Sequence, residues 1–332
     1  MADIVEQTLP VVDVGPALGD DPTGVETVAA SLDEAYRRIG FCYLTGHGIA
    51  EGLLDDVFAA SSEFHALPLE DKRALTLNRW HRGFIEIDTS VIRSSTVDTV
   101  RQPNQSESLM VMHELAPDHP DRLRGAPLAG PNQWPDNLPG FRERVLAYDA
   151  AMADLCRRLV RTIAVALGEP IDRFDSAFAE PITFLRLLRY PPHRADAPAD
   201  MFGAAPHSDY GFITVLAQHE LSGLEVRRPD QTWVPAPVID NAFVMNCGDI
   251  LHRWSNGRWL STPHRVINGH DRFRYSAPYF FDPHPSVVVE PLAGSVEDGV
   301  APKYEPVVYG DYLMSRLEKN YSQHQQDEPS RP

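Results

Sequence analysis

Along the first third of the chain the apolar positions switch between two periods. Residues 9–14, LPVVDV, form a short β-branched run that predicts a strand. Val25, Val28, Ala29, Leu32 and Ala35 then recur at helical spacing, which predicts a helix over 22–39 with Gly40 as its stop. FCYLTGHG, 41–48, reads as a strand running into a glycine turn, residues 50–65 as a helix, and Leu67-Pro68-Leu69-Glu70 as the start of a further short one. Residues 78–140 carry scattered Pro, Asn, Gly and His without a steady period and read as irregular, with a strand at 107–112. The longest predicted helix covers 139–168. Pro139 suits its first turn, Val145, Tyr148, Met152, Leu155, Leu159 and Ile163 carry a core stripe, and Gly168 ends it. From about 182 the pattern becomes short β-rich segments punctuated by Gly, Pro and Asn, such as ITFLRLLRY, GFITVLAQ, SGLEVRR, AFVMNCGD and YSAPYFF. That spacing predicts an antiparallel sandwich or barrel, whose mouth can house a small-molecule site. A surface helix over 309–319 and a frayed tail, SQHQQDEPSRP, follow.

Composition narrows the picture. The chain has 332 residues, enough for a sizeable core, and its 29 prolines favour loops and β structure over a helical bundle. A net charge of −17 argues against nucleic acid or an anionic membrane as partner. Cys42, Cys156 and Cys247 are far apart, odd in number and set among apolar residues, so they read as reduced buried thiols. MADIVEQTLP lacks a basic-then-apolar run, and no stretch has the length of a membrane span; the expectation is a soluble cytoplasmic protein. Asn104-Gln105-Ser106 and Asn320-Tyr321-Ser322 match the glycosylation acceptor pattern, which carries no weight without export.

Among 13 histidines, two His-x-Asp pairs occur. His119-Pro120-Asp121 lies in an irregular stretch with nothing to hold its side chains parallel. His207-Ser208-Asp209 leads into a strand-like run, where residues i and i+2 share a face and can converge on one ion. His264, in PHRVIN, supplies a third donor from a later β run. Two histidines and one carboxylate suit a non-haem Fe(II) oxygenase, with positions left open for substrates; catalytic zinc with a water stays open. Arg274 and Ser276 follow at strand spacing. By themselves they describe an ordinary surface strand; beside such a triad they suit a carboxylate anchor.

On these residues the chain resembles the isopenicillin N synthase-like branch of the 2-oxoglutarate and Fe(II)-dependent oxygenases. The likeness runs from LPVVDV, RRIGFCYLTGHGI and SEFHALPLEDKRAL through RYPPH, HSDYGFITVL, SGLEV, VMNCGD, NGRW, PHRVIN and RYSAPYFF, in order. It implies a mainly β fold with flanking helices: a double-stranded β-helix, or jelly-roll, core with a helical N-terminal lead-in. It implies Fe(II) on His207, Asp209 and His264, the distal carboxylate of 2-oxoglutarate on Arg274 and Ser276, the Tyr190 hydroxyl on the same co-substrate, and O2 as the second co-substrate. It divides one integrated unit into a lead-in over 1–125, a long helical support over 126–180, the core over 181–290, and a C-terminal strand, helix and tail over 291–332. Where many plant members carry Asn, this chain has Leu188, a change expected to tune co-substrate affinity.

Strand alternation from Tyr190 turns Leu188 and Arg186 toward the same site, so Arg186 is a candidate for a substrate carboxylate or hydroxyl, or else for a rim salt bridge. Arg82, Phe84, Tyr210, Phe212 and Phe281 are weaker substrate-pocket candidates. His219 and His252 read as structural or surface, His47 as a turn residue, Asn246 and Asp249 as turn-shaping around Gly248, and Asn256-Gly257 as a hairpin turn. The expected activity is oxidation of an unactivated C–H bond of a small molecule, by hydroxylation, desaturation or cyclisation, in specialised metabolism by analogy alone. The iron centre is the catalyst, and no separate acid or base residue is expected. The competing readings are an oxidase of the same fold that needs no 2-oxoglutarate and a small-ligand binding module; a zinc hydrolase lacks HExxH and G-x-S-x-G.

Overall fold

The computed structural model describes residues 9–321 apart from 20, 94–96, 98–101, 195–197, 199 and 298. The segment before Leu9, the expected frayed tail and Ser322 of the second acceptor pattern lie outside the described residues.

The chain begins with β1 (Val11–Asp13) and α1 (Pro22–Arg38). Asp21 caps α1 by accepting from the Thr23 N–H, and Gly40, at φ 73°, takes the left-handed conformation that ends it. The predicted stripe of α1 is its buried face. Next come β2 (Phe41–Thr45), α2 (Glu51–Ala66), α3 (Leu69–Arg73), β3 (Gly83–Ile85), β4 (Glu107–Met112) and α4 (Pro120–Leu123). The long helix is α5 (Phe141–Ala166). Gly140 stands at its cap at φ 75°, so Pro139 lies just outside the helix and not in its first turn. The β-rich half holds β5 (Ile182–Tyr190), β6 (Ala204–His207), β7 (Ile213–Gln218), β8 (Leu224–Arg227), β9 (Trp233–Pro235) and β10 (Phe243–Cys247). It continues through α6 (Asp249–Trp254), β11 (His264–Val266), β12 (Arg274–Asp282), β13 (Val288–Val289), β14 (Val307–Val308) and α7 (Tyr309–Asn320).

Eight strands form a large sheet in the order β1-β2-β10-β7-β12-β5-β4-β3, and four form a small sheet, β6-β11-β8-β9. The pairings are antiparallel except β1 with β2. The sheets close on each other as a jelly roll: Leu224, Val226 and Val234 of the small sheet share an apolar cluster with Phe41, Tyr43 and Val244 of the large one. The stripes of α1, α2 and α5 cover the other face of the large sheet. Covered on both faces, β5 and β12 are buried nearly throughout and lack a simple in-out alternation. The lead-in alternates strand and helix, with β3 added to the three strands that the sequence predicts. Its four strands sit at the two edges of the large sheet, β1-β2 on one side and β4-β3 on the other. The Asn256-Gly257 pair makes a left-handed turn, φ 51° and 79°, after the short helix α6 and not a hairpin.

Asp149 of α5 is a half-buried carboxyl at the edge of this core, and burial pushes it up to about 6. A raised carboxyl favours the folded state fully only below the unfolded value near 4. That contribution is lost as pH rises through 6, a cost of about 3 kcal/mol at pH 8. Asp149→Asn, which cannot ionise, is therefore expected to raise Tm, and to raise it more at pH 8 than at pH 5. Equal shifts at the two pH values in thermal unfolding would contradict the assignment.

Candidate active site

The small sheet carries two of the candidate metal donors in register. β6 ends on His207, β11 begins on His264, and the two residues are antiparallel partners. Asp209 does not share a strand face with His207 as the spacing implied. It reaches the same point from the corner between β6 and β7. The imidazole rings lie 4.3 Å apart, and Asp209 Oδ1 is 3.8 Å from His207 Nε2 and 3.7 Å from His264 Nε2. The three donor atoms lie within 4.8 Å of one another.

Their neighbours aim them. His207 Nδ1 donates to the Ala205 carbonyl at 2.7 Å and His264 Nδ1 to the Thr262 carbonyl at 3.2 Å, which leaves both Nε2 lone pairs toward the shared point. Asp209 Oδ2 accepts from Thr214 Oγ1 at 2.6 Å and from Asn246 Nδ2 at 2.8 Å, which leaves Oδ1 for an ion. Asn246 therefore lies on β10 and orients Asp209; it does not shape a turn. Burial and the adjacent His264 push His207 down to about 4, so it stays neutral, the ligating form, at neutral pH. Burial alone would raise Asp209, but His264, His207, Thr214 and Asn246 hold it below the usual carboxylate range. Gly211 completes the corner: a Cβ there would collide with the Asp282 carboxylate, which accepts the Phe212 N–H at 2.6 Å and the Tyr309 hydroxyl at 2.7 Å. Asn246→Ala should weaken metal affinity roughly 10–100-fold while leaving the three donors intact. A metal titration of the variant measures this.

A second charged group faces the same cavity. β12 and β5 pair Arg274 with Tyr190 and Ser276 with Leu188. The Arg274 guanidinium lies 4.7 Å over the Tyr190 ring. Its Nε donates to the Leu221 carbonyl and its Nη2 to Gln218 Oε1, both at 3.1 Å, while its buried Nη1 has no hydrogen-bond partner among the described residues. Ser276 Oγ lies 3.4 Å from the Tyr190 hydroxyl. A buried cationic donor beside two hydroxyls suits a ligand carboxylate.

The triad, Arg274, Ser276, Tyr190, Leu188, Arg186 and Tyr210 all line one cavity of about 170 Å3. Four weaker candidates do not. Arg82 is fully buried and ties the Trp80, Leu128 and His113 carbonyls together. Phe84 packs on Phe64, Phe281 stacks on Phe178, and Phe212 packs against Phe178 and Trp254. Each sits on a large-sheet strand or corner whose ring points into the helix-packed core. His252 is held by the Trp259 carbonyl and the Tyr304 hydroxyl, and His219 packs on Phe58. His47 accepts from the Ile49 N–H in its turn, and Asp249 opens α6 while binding Ser261 and Tyr312. His119 caps α4. The three cysteines are buried and free. Sequence reasoning missed Thr214, and it took α7 for a surface helix although Leu313 and Leu317 are buried and line the cavity. The amphipathic spacing of α7 identified its apolar face but not what that face covers.

Known proteins share this chain's sequence pattern and fold. Residues 9–137 match the family described as the N-terminal region of non-haem dioxygenases in morphine synthesis, and residues 180–283 match the 2OG-Fe(II) oxygenase superfamily. Homoarginine-6-hydroxylase 2-ODD-233 of Oryza sativa subsp. japonica is 34% identical over 95% of this chain and 98% of its own. Kihadalactone A synthase LFS of Citrus sinensis is 33% identical, with 88% of each chain covered. A full-length Neurospora crassa protein, solved in complex with alpha-KG and thymine, superposes with a TM-score of 0.82 at 29% identity, covering 93% of this chain and 96% of that one. No helix among the described residues is long and apolar enough to cross a membrane. The donor set of two imidazoles and a carboxylate fits Fe(II), and the orphaned Nη1 of Arg274 fits the anionic end of 2-oxoglutarate. The chain thus belongs to the 2-oxoglutarate and Fe(II)-dependent oxygenase superfamily, and is an oxidoreductase that uses Fe(II) and 2-oxoglutarate.

Proposed function

We propose that His207, Asp209 and His264 hold Fe(II), that Arg274, Ser276 and Tyr190 receive the distal carboxylate of 2-oxoglutarate, and that the enzyme oxidises an unactivated C–H bond of a small molecule, in the first instance by hydroxylation. The observation that carries this reading is the pairing, in one cavity, of a three-donor metal face with a buried guanidinium that has an unpartnered N–H. When bound, Fe(II) with 2-oxoglutarate and O2 supplies oxidative decarboxylation to succinate and CO2, coupled to C–H oxidation.

The protein's own work is placement. Thr214 and Asn246 hold Asp209, and two backbone carbonyls hold the imidazoles. Tyr190 and Gln218 fix the Arg274 fork. The helix α7 adds the apolar side chains of Leu313 and Leu317 to the cavity wall. Hydroxylase names among the relatives, and thymine in the Neurospora crassa structure, support a small-molecule substrate. Succinate release tests the reading: it should require Fe(II), 2-oxoglutarate and O2 together. Turnover of a substrate without 2-oxoglutarate would overturn it.

A further inference from the structure

Arg186 is a half-buried cation that nothing in the described chain balances. It lies on β5 two residues before Leu188 and four before Tyr190, and all three face the cavity. Its Nε donates to Ser108 Oγ at 2.8 Å, while its Nη2 is buried without a hydrogen-bond partner among the described residues. Arg189 shows the contrast: three positions on, it turns away from the cavity and pairs with the buried carboxylate of Glu107. The cavity's own acids are committed elsewhere. Asp209 faces the metal position, and both oxygens of Asp282 are taken by the Phe212 N–H and the Tyr309 hydroxyl. The remaining wall is largely apolar, with Met110, Phe184, Leu188, Leu313 and Leu317.

Charge balance then points to the missing partner. With both groups bound, Arg274 is paired by the 2-oxoglutarate carboxylate and Asp209 by Fe(II), while Asp282, the remaining acid of the wall, is engaged by the Phe212 N–H and the Tyr309 hydroxyl and has no ion pair with Arg186 among the described residues. Arg186 is left without a paired carboxylate among the described residues in a largely apolar cavity, where an unpaired ion is costly.

Resting on the iron and co-substrate reading above, we propose that the substrate is a small carboxylic acid, bound as a monoanion with its carboxylate on the Nη edge of Arg186 and its apolar body against Met110, Phe184 and Leu188. Ser108 holds the guanidinium by Nε, so the opposite edge presents two parallel N–H donors at carboxylate spacing.

Matched pairs of ligands test this on the anaerobic Fe(II)- and 2-oxoglutarate-loaded protein by titration calorimetry. Phenylacetate, cyclohexanecarboxylate and octanoate would be compared with their primary amides, which keep shape and lose charge. At least one acid should bind about tenfold or more tighter than its amide. Arg186→Gln should erase that preference, and Arg186→Lys should keep part of it. Amides binding as well as acids, no acid binding, or a preference that survives Arg186→Gln would each overturn the proposal. The 2-oxoglutarate titration on the same wild-type sample separates the two readings, because its failure alone would overturn the co-substrate site.

Discussion

Asp209→Ala is expected to abolish iron-dependent turnover and to weaken Fe(II) binding by more than the roughly 10–100-fold predicted for an outer partner such as Asn246. Asp209 is the only anion of the donor set, lying 3.8 and 3.7 Å from the two imidazole Nε2 atoms. Without it two imidazole rings face a divalent ion with no protein anion in the donor set to offset its charge. The substitution also strands Thr214 and Asn246, whose donors both point at Asp209 Oδ2 in a buried pocket. Asp209→Asn separates these effects, because it keeps the volume and removes the charge; it should lose nearly as much metal affinity with less loss of stability. Metal titration alongside thermal unfolding measures both. Wild-type affinity in Asp209→Asn would contradict the ligand assignment.

Arg274→Met should leave Fe(II) binding intact and weaken 2-oxoglutarate binding by roughly 10²–10³-fold. Truncating one partner of a buried charge pair costs about 3–5 kcal/mol, and each 1.4 kcal/mol is a factor of ten. Arg274 is 3% exposed, so its pairing with a carboxylate is not reduced to the small value of a surface ion pair. Methionine preserves most of the stem packed beside Tyr190. Arg274→Lys keeps the charge but not the planar fork, and should recover only part of the affinity. The direct readout is the Kd for 2-oxoglutarate with Fe(II) present; an unchanged Kd in Arg274→Met would place the co-substrate elsewhere.

The candidate site was legible through strand spacing and family resemblance together: spacing grouped Arg274 with Ser276 and turned Leu188 and Arg186 the same way as Tyr190, while Tyr190 itself and the co-substrate role came from the resemblance. Arg274 and Ser276 sit on one strand, Tyr190, Leu188 and Arg186 on its partner, and the register joins them as alternation requires. For the triad, the residues were legible but the geometry was not. The extended run ends at His207, and Asp209 converges only because the corner before β7, shaped by Gly211 and Asp282, brings it back. Such a corner has no period to read. The same limit applies to Asn246, which looked like a turn residue beside Gly248 but spends its amide on Asp209 from a strand across the barrel. Phe84, Phe212 and Phe281 illustrate a further gap. Strand periodicity says that neighbours alternate, but in a sheet covered on both faces each direction is apolar, so a phenylalanine bound for the core resembles one bound for the cavity. The part of the cavity wall formed by α7 depends on where a terminal helix docks, which local pattern does not encode.

The most direct test of the central claim is the anaerobic visible spectrum of the purified protein. A weak metal-to-ligand charge-transfer band should appear only when Fe(II) and 2-oxoglutarate are both present. It should be lost in His264→Ala, which cannot hold the ion, and in Arg274→Met unless 2-oxoglutarate is raised roughly 10²–10³-fold. Fe(II) binding with no such band, or a band indifferent to Arg274, would contradict a shared iron and 2-oxoglutarate site in this cavity.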